Sequence, residues 1–381
     1  MGKIEDKRYL EAFDRIGKND TQNVFTPPRL IRRMLSRICF DKNSKIFVWY
    51  NIEFLIYLVK EIGLYPKNIY IYTNCQDKLI LEKQGYNVIF HPNINFDKLD
   101  EQLKKMKFDA VLGNPPFQKT LESGKKSVDT LWAKFIKKSF ELTKNNGIIS
   151  LICPDGWGSP TFDIPSGEIS IFKDYFKKNN LKYVATNEKV KPYFKNIGTS
   201  FSYFVCEKKD YEGNTIFDNG ENKIECNIKD LDFVPKKLDN ISLSIHKKIF
   251  SGDSKFIFER YRKKDGGMLD ENHPHFYTPK LKFSRGLAKF FVTGDHGNSG
   301  YDVFTYAYHL KNDETVESGL SVLNSKAYKF VLNQKWNQYF TKYIPNAVFK
   351  PKLNKIYSDS EIYNFLNFTD EEINYIESNV G

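Results

Sequence analysis

Between residues 45 and about 207, short apolar runs alternate with stretches whose apolar residues recur at helical spacing. Ile46-Phe47-Val48-Trp49-Tyr50, Asn68-Ile69-Tyr70-Ile71-Tyr72-Thr73 and Phe108-Asp109-Ala110-Val111-Leu112-Gly113 read as short buried strands, the last ending in a glycine-containing turn. Lys134-Phe135-Ile136-Lys137-Lys138-Ser139-Phe140-Glu141-Leu142 carries one apolar face and reads as an amphipathic helix. Such alternation predicts an α/β fold, a mostly parallel sheet with helices on both sides. The run from Ile197 to Cys206 looks like a final hairpin, and residues 208–222, rich in Asp, Glu, Gly and Asn, read as a loop.

Outside that block the pattern changes. Residues 1–22 are densely charged and predict a helical arm, with a partial apolar face at Glu11-Ala12-Phe13-Asp14-Arg15-Ile16. Thr26 ahead of Pro27 and Pro28 is a helix-start signal, because proline suits the first turn and a threonine oxygen can cap it. Near the end, Ser358 to Glu361 and Thr369 to Glu372 repeat a capping pattern and predict two closing helices. With 381 residues the chain exceeds the size at which one core usually keeps growing. Three parts are expected: an arm over 1–22, an α/β domain over 23–235 and a smaller α+β region over 236–381.

The chemistry concentrates at Asn114-Pro115-Pro116-Phe117, directly after the Phe108–Gly113 strand. Ligands of open α/β sheets bind at the carboxyl ends of strands. An exocyclic amine on a purine is a poor nucleophile, because its lone pair is delocalised into the ring. Two acceptors, the side-chain oxygen of Asn114 and the carbonyl of Pro115, can each take one amino hydrogen and favour a pyramidal nitrogen aimed at an electrophile. The prolines fix φ and keep the acceptors convergent. Phe117 can stack on the base, which must leave a duplex before its amine is reached.

With these residues the chain resembles the amino-methylating DNA methyltransferases that use S-adenosylmethionine, in particular the adenine-specific group with a C-terminal target-recognition region. Further segments are similar to that family in order. Asn23-Val24-Phe25-Thr26-Pro27-Pro28-Arg29-Leu30 looks like its first motif, whose Thr-Pro element borders the methionine end of the cofactor. Asp129-Thr130-Leu131-Trp132 and Asn146 to Pro154 look like the helix and strand after the catalytic loop. Pro192 to Phe201 looks like the late motif, in which Phe194 takes the place of the aromatic residue on the other face of the flipped base. The resemblance implies a Rossmann-like methyltransferase domain with a C-terminal recognition domain. It also implies catalytic roles for Asn114, Pro115, Pro116 and Phe117, base stacking by Phe117 and Phe194, and cofactor contacts from Thr26, Pro27, Tyr50, Asn51, Asn74 and Asn114.

The chain departs from the family at the cofactor turn. Ile46 to Phe54 holds no glycine, and Thr73-Asn74 stands where a ribose-binding carboxylate is expected, although Asn74 can hydrogen-bond a diol and Glu53 lies near the first turn.

The balance of 58 Lys+Arg against 47 Asp+Glu gives a net charge of +11, a field favourable to phosphate. Abundant Lys, Asn, Ile, Phe and Tyr also fit an AT-rich genome, so charge alone does not decide the partner. Arg260, Arg262, Lys263 and Lys264, followed by Gly266-Gly267, form the expected DNA-binding stretch; Lys280, Lys282, Arg285, Lys350 and Lys352 add charge, and solvated loops are the alternative. Five cysteines without paired spacing, and His273 beside His275 without partners, predict no metal site. No run of 18 apolar residues exists and the first 25 residues are charge-rich, so no membrane span or secretory signal is expected and a cytoplasmic location follows. The expected activity is adenine-specific DNA methylation of restriction-modification or phage type on double-stranded DNA, with a cognate restriction or methyltransferase subunit as a candidate partner. The alternatives are a catalytically impaired DNA-binding subunit and an RNA or protein methyltransferase.

Overall fold

A computed structural model describes residues 25–73, 78–91, 94–103, 105–120, 126–158, 170–194, 200–231, 233–235, 238–251, 254, 256, 259–261, 275–278, 305–311, 313–333 and 350–380. The chain divides into two compact units, one of residues 1–157 and 169–228, the other of residues 158–168 and 229–381.

The first unit is built on a nine-stranded sheet. In chain order its elements are α1 (Pro28–Leu35), β1 (Ile46–Trp49), α2 (Glu53–Lys60), β2 (Ile69–Thr73), α3 (Lys78–Lys83), β3 (Asn87–Phe90), α4 (Phe96–Leu103) and β4 (Phe108–Gly113). A short hairpin, β5 (Gln118–Thr120) and β6 (Lys126–Thr130), precedes α5 (Trp132–Leu142) and β7 (Thr143–Pro154). Then come β8 (Asn179–Ala185), α6 (Asn187–Val190), β9 (Phe201–Asp210), β10 (Thr215–Asp218) and β11 (Lys223–Cys226). Across the sheet the order is β11-β10-β8-β9-β7-β4-β1-β2-β3. Strands β3, β2, β1, β4 and β7 run parallel, with Val48 opposite both Ile71 and Leu112. Strand β9 is antiparallel to both its neighbours, β7 and β8.

Why the strands read as unbroken apolar runs is clear from their surroundings. All four residues of β1 are buried, as expected of a parallel strand covered on both faces. On one face, Ile46 and Val48 join Leu30, Met34, Phe54 and Leu58 of α1 and α2. On the other, Trp49 packs edge-on against Phe47, Tyr72, Phe96 and Phe135 at 4.7–6.1 Å. The indole N–H of Trp49 donates to Ser139 Oγ at 2.8 Å, and Ser139 donates to the Phe135 carbonyl, so α5 is tied beneath β1 by a satisfied polar pair.

Two expectations from the sequence are corrected. Residues 208–222 are not simply a loop: β9 runs on to Asp210, and β10 lies parallel to β8 and antiparallel to β11. Thr215, Phe217 and Asp218 of β10 are buried, and Asp218 accepts from the Tyr183 hydroxyl at 2.7 Å, so a polar composition conceals an inward-facing strand. Strand β9 is therefore followed by a further β10–β11 hairpin and does not end the sheet.

The second unit is α+β. Its elements are α7 (Asn240–Phe250), β12 (Glu259–Tyr261), β13 (His275–Thr278), β14 (Thr305–His309), α8 (Val316–Leu323), α9 (Lys326–Asn333), α10 (Asp359–Phe365) and α11 (Asp370–Val380). The three strands form an antiparallel sheet with β14 in the middle. The helices share a core that includes Ile245, Ile249, Val322, Tyr328, Val331, Ile362 and Ile376. Both closing helices begin as the capping pattern requires. Ser358 and Glu361 exchange side-chain and backbone bonds, and so do Thr369 and Glu372.

Candidate functional site

At the carboxyl end of β4, Gly113 has φ +146°, and a Cβ there would lie 2.7 Å from the Trp49 carbonyl oxygen. Only glycine lets β4 lie this close to β1 and still turn into Asn114. Asn114, Pro115 and Pro116 are buried and Phe117 is half-buried. The segment is pinned at both ends. The Asn114 N–H donates to Asn51 Oδ1 at 2.6 Å, and the Phe117 carbonyl accepts from the Leu131 N–H at 3.0 Å, where α5 begins.

Asn51 stands in the three-residue turn between β1 and α2. The Asn51 N–H bonds back to the Trp49 carbonyl at 2.7 Å while Tyr50 takes φ +60°, the geometry of a γ-turn with a left-handed centre, which is rare and strained. Tyrosine thus occupies a conformation that glycine would adopt freely. Packing holds it there: Tyr50 is 4% exposed, and its ring meets Tyr72 at 5.2 Å and Phe135 at 5.9 Å. Its N–H donates to the Tyr72 carbonyl. The Tyr50 side chain, expected at the cofactor, is a core residue.

From this turn a ring of hydrogen bonds closes on Asn114. A backbone N–H is always a donor, so its bond to Asn51 Oδ1 fixes the orientation of that amide. Asn51 Nδ2 accordingly faces Glu53 Oε1 at 3.2 Å. Glu53 Oε1 also accepts from the Thr26 N–H at 2.7 Å. The ring closes where Asn114 Nδ2 donates to Thr26 Oγ1 at 3.3 Å. Four buried residues from three distant segments are brought together.

Two residues behave differently from the sequence expectation. Thr26 does not cap α1: the N-cap is Pro27, with no side-chain cap bond, and the Thr26 hydroxyl is engaged with Asn114. Pro27 is half-buried between Thr26 and the helix. Glu53, which in the sequence merely lies near the first turn, is the hub. Burial pushes its carboxyl group up to about 7, against the opposing hydrogen bonds from Thr26, its own N–H and Asn51. The signal for it is an acid opening the apolar stretch Phe54 to Val59 directly after a buried strand.

The two aromatic residues expected to hold a base meet at one place. Phe117 lies 6.4 Å from Phe201, and Phe194 lies 5.1 Å from it at 81°. Phe201, at 1% exposure, is the shared floor. Nearby, Arg29 and Arg33 of α1 line a cleft with Lys189, Pro192 and Tyr193, and the Arg33 guanidinium sits 5.5 Å from the Tyr193 ring.

A cofactor at the carboxyl ends of β1 to β4 would meet the Thr26, Asn51, Glu53 and Asn114 ring and, past β3, His91. His91 Nε2 is buried without a hydrogen-bond partner among the described residues, a group that a polar ligand atom could satisfy. These residues fit S-adenosylmethionine, whose charged and hydrogen-bonding ends need polar partners. Asn74, Arg262, Lys263 and Lys264 lie outside the described residues. Arg260 is placed on β12 opposite Tyr306. Lys350 is not a loop lysine available to phosphate: its Nζ pairs with Glu314, and both side chains are nearly buried. Among the described residues there is no cluster able to hold a metal ion, and no helix long and apolar enough to cross a membrane.

A search of curated proteins returned no match. A modification subunit of a type I restriction enzyme from Vibrio vulnificus is 15% identical, with a TM-score of 0.41 over 55% of this chain and 50% of that one. The type I methyltransferase subunit from Streptococcus thermophilus is 17% identical, with a TM-score of 0.38 over 55% and 50%. The aligned part spans half the length of these two proteins, and at such TM-scores the likeness bears on no residue of this chain. Residues 65–164 match the family model described as Eco57I restriction-modification methylase. That stretch carries β4 and Asn114–Phe117, and the match agrees with the methylase resemblance of the motifs and with S-adenosylmethionine as the cofactor it implies.

Proposed function

We propose that this chain is a restriction-modification methyltransferase acting on the exocyclic amine of an adenine flipped out of duplex DNA. The observation that carries this reading is the buried ring that fixes Asn114 beside the Phe117–Phe201–Phe194 cluster. S-adenosylmethionine supplies an already activated methyl group, so the protein's work is alignment and exclusion of water. With Asn114 Nδ2 donating to Thr26, the amide oxygen takes the acceptor role toward the amine, and the Pro115 carbonyl supplies the second acceptor. Phe117 and Phe194 hold the base from its two faces. The amine needs no base before transfer, because its proton becomes acidic only once the methyl group is attached. Arg29, Arg33 and Lys189 offer positive charge to phosphates flanking the base, and the second unit, with the stretch from Arg260 to Lys264, supplies target recognition.

A second reading, a methyltransferase-like DNA-binding subunit, is favoured by the same β1 turn, which has no glycine and is held by a Tyr50 packed into the core. Titration calorimetry of the full chain with S-adenosylmethionine separates the two. Binding, followed by methyl transfer to duplex DNA and N6-methyladenine at a defined site in DNA from expressing cells, supports the enzyme. DNA binding with no heat on addition of S-adenosylmethionine supports the subunit. Transfer to structured RNA or to a protein amide in place of DNA would overturn the choice of substrate.

A further inference from the structure

Glu53 takes no step in the methyl transfer proposed above, yet it is the one ionisable member of the ring around Asn114. A buried carboxyl group without a task is costly to keep, so its partners are informative. Its Oε1 takes the Thr26 N–H and the Asn51 amide, and Thr26 and Asn51 both bond Asn114, one to the side chain and one to the backbone. Both of these paths to Asn114 start at Glu53. We propose that Glu53 is the positioning residue of the site, its carboxylate setting Thr26 and Asn51 so that the Asn114 amide is presented in one orientation. This rests on the reading of Asn114 as the amine-orienting residue, and it adds a control: the site is ordered when Glu53 is ionised and loosened when it is protonated.

The direction of that control comes from hydrogen-bond roles. Ionised, the carboxylate only accepts, which suits the Thr26 N–H and Asn51 Nδ2, both of which donate to Oε1. Protonation removes the negative charge that these two donors share, and a proton on Oε1 makes that oxygen a donor facing donors. Thr26 and Asn51 are then held less firmly, and so are their bonds to Asn114. The groups acting on Glu53 are Thr26, Asn51 and its own amide; no charged side chain acts on it among the described residues. Burial therefore places its titration near neutral pH, and no ion pair shifts it back.

The test uses the full chain labelled with ¹⁵N-asparagine, with the Asn114 side-chain signal assigned by its absence in Asn114→Asp. That signal and the Asn51 amide signal should shift together with pH, with a midpoint near 7, and Glu53→Gln should remove the titration while the remaining spectrum keeps its folded dispersion. In parallel, methyl transfer is followed against pH. The wild type should lose kcat on the acid side with the same midpoint. Glu53→Gln should lower kcat about tenfold or more at pH 8 with an unchanged KM for DNA, and should abolish the acid limb. Thr26→Val, which removes one path only, should fall between. Asn114 and Asn51 signals that do not move between pH 5 and 8, or that move equally in Glu53→Gln, would overturn the proposal whether or not the protein is active. A titrating Asn114 signal in a chain without methyl transfer would leave the positioning role standing and sink the enzyme reading instead.

Discussion

Two neighbouring strands, β1 and β4, end side by side and turn in opposite ways. After β4 the turn is made by residue type: Gly113 takes a φ closed to other residues, and Pro115 and Pro116 stiffen the chain beyond it. After β1 no residue type favours the turn, and Tyr50 is held at φ +60° by the aromatic rings around it. One turn is encoded locally and the other by tertiary packing. A positive φ is thus a property of the surroundings as much as of glycine, and a loop without glycine can still deliver its neighbours, here Asn51 and Glu53, to a site.

Substitutions should separate the two turns. The largest effect is expected from Asn114→Ala, which leaves both turns intact and removes the amine acceptor. Methyl transfer should fall by on the order of 10²–10³ or more, with fold and most DNA affinity retained, and purified protein keeping near wild-type turnover would exclude Asn114 from the chemistry. Tyr50→Gly relaxes the left-handed residue, a gain of about 1 kcal/mol, but empties a buried aromatic position worth about 3–5 kcal/mol. The net result should be a clear loss in urea unfolding. A variant as stable as the wild type would show that the backbone, not the ring, dictates the turn.

Third is the pH dependence of stability. Glu53 binds its proton more tightly folded, at about 7, than at the ordinary 4.5. Its contribution is therefore fully present below pH 4.5 and is lost as pH rises to about 7, a decline of about 3 kcal/mol at most. Glu53→Gln should flatten that part of the profile; a wild type whose stability instead rises steeply through the window for this group would contradict a buried, unpaired acid. Gly113→Ala then tests the locally encoded turn. The added methyl meets backbone, which cannot swing away as a side chain could, so a cost of at least about 1–3 kcal/mol and a site displaced around Asn51 are expected in the melting curve and in the Asn114 signal. The smallest effect concerns the second unit: replacing Arg260, Arg262, Lys263 and Lys264 by alanine should reduce the salt slope of DNA affinity by about one for each phosphate no longer neutralised, and an unchanged slope would move recognition elsewhere.

The same contrast explains how much is legible in the sequence. Gly113 with Asn114–Phe117, the strands β1, β2 and β4, helix α5 and the two C-terminal caps carry their own local signals, in periodicity or in residue type, and the structure places them where those signals point. Thr26 has the local signature of a cap because threonine before proline usually is one, and only the Asn114 amide, 88 residues away, engages its hydroxyl instead. Glu53 is hidden because an acid at the start of a helix is ordinarily a solvated favourable charge. Its one local mark is the unbroken apolar stretch Phe54 to Val59 that follows it. Strand β10 is hidden by its polar residues, since Asp218 is satisfied by Tyr183 from another strand and faces inward.

The ring around Asn114 also has a bearing on how the molecule comes into being. Its bonds join Thr26 to Asn114 across 88 positions and Asn51 to Asn114 across 63. A chain emerging from the ribosome can therefore pair β1 with β2 while Thr26, Asn51 and Glu53 still lack Asn114, and Phe201 arrives later still, on a strand that must insert between β7 and β8. Premature termination anywhere before β9 would leave a partly formed sheet with no floor beneath Phe117 and Phe194. Binding competence is thus acquired late in synthesis, and fragments of the chain are poor competitors for whatever the finished site recognises.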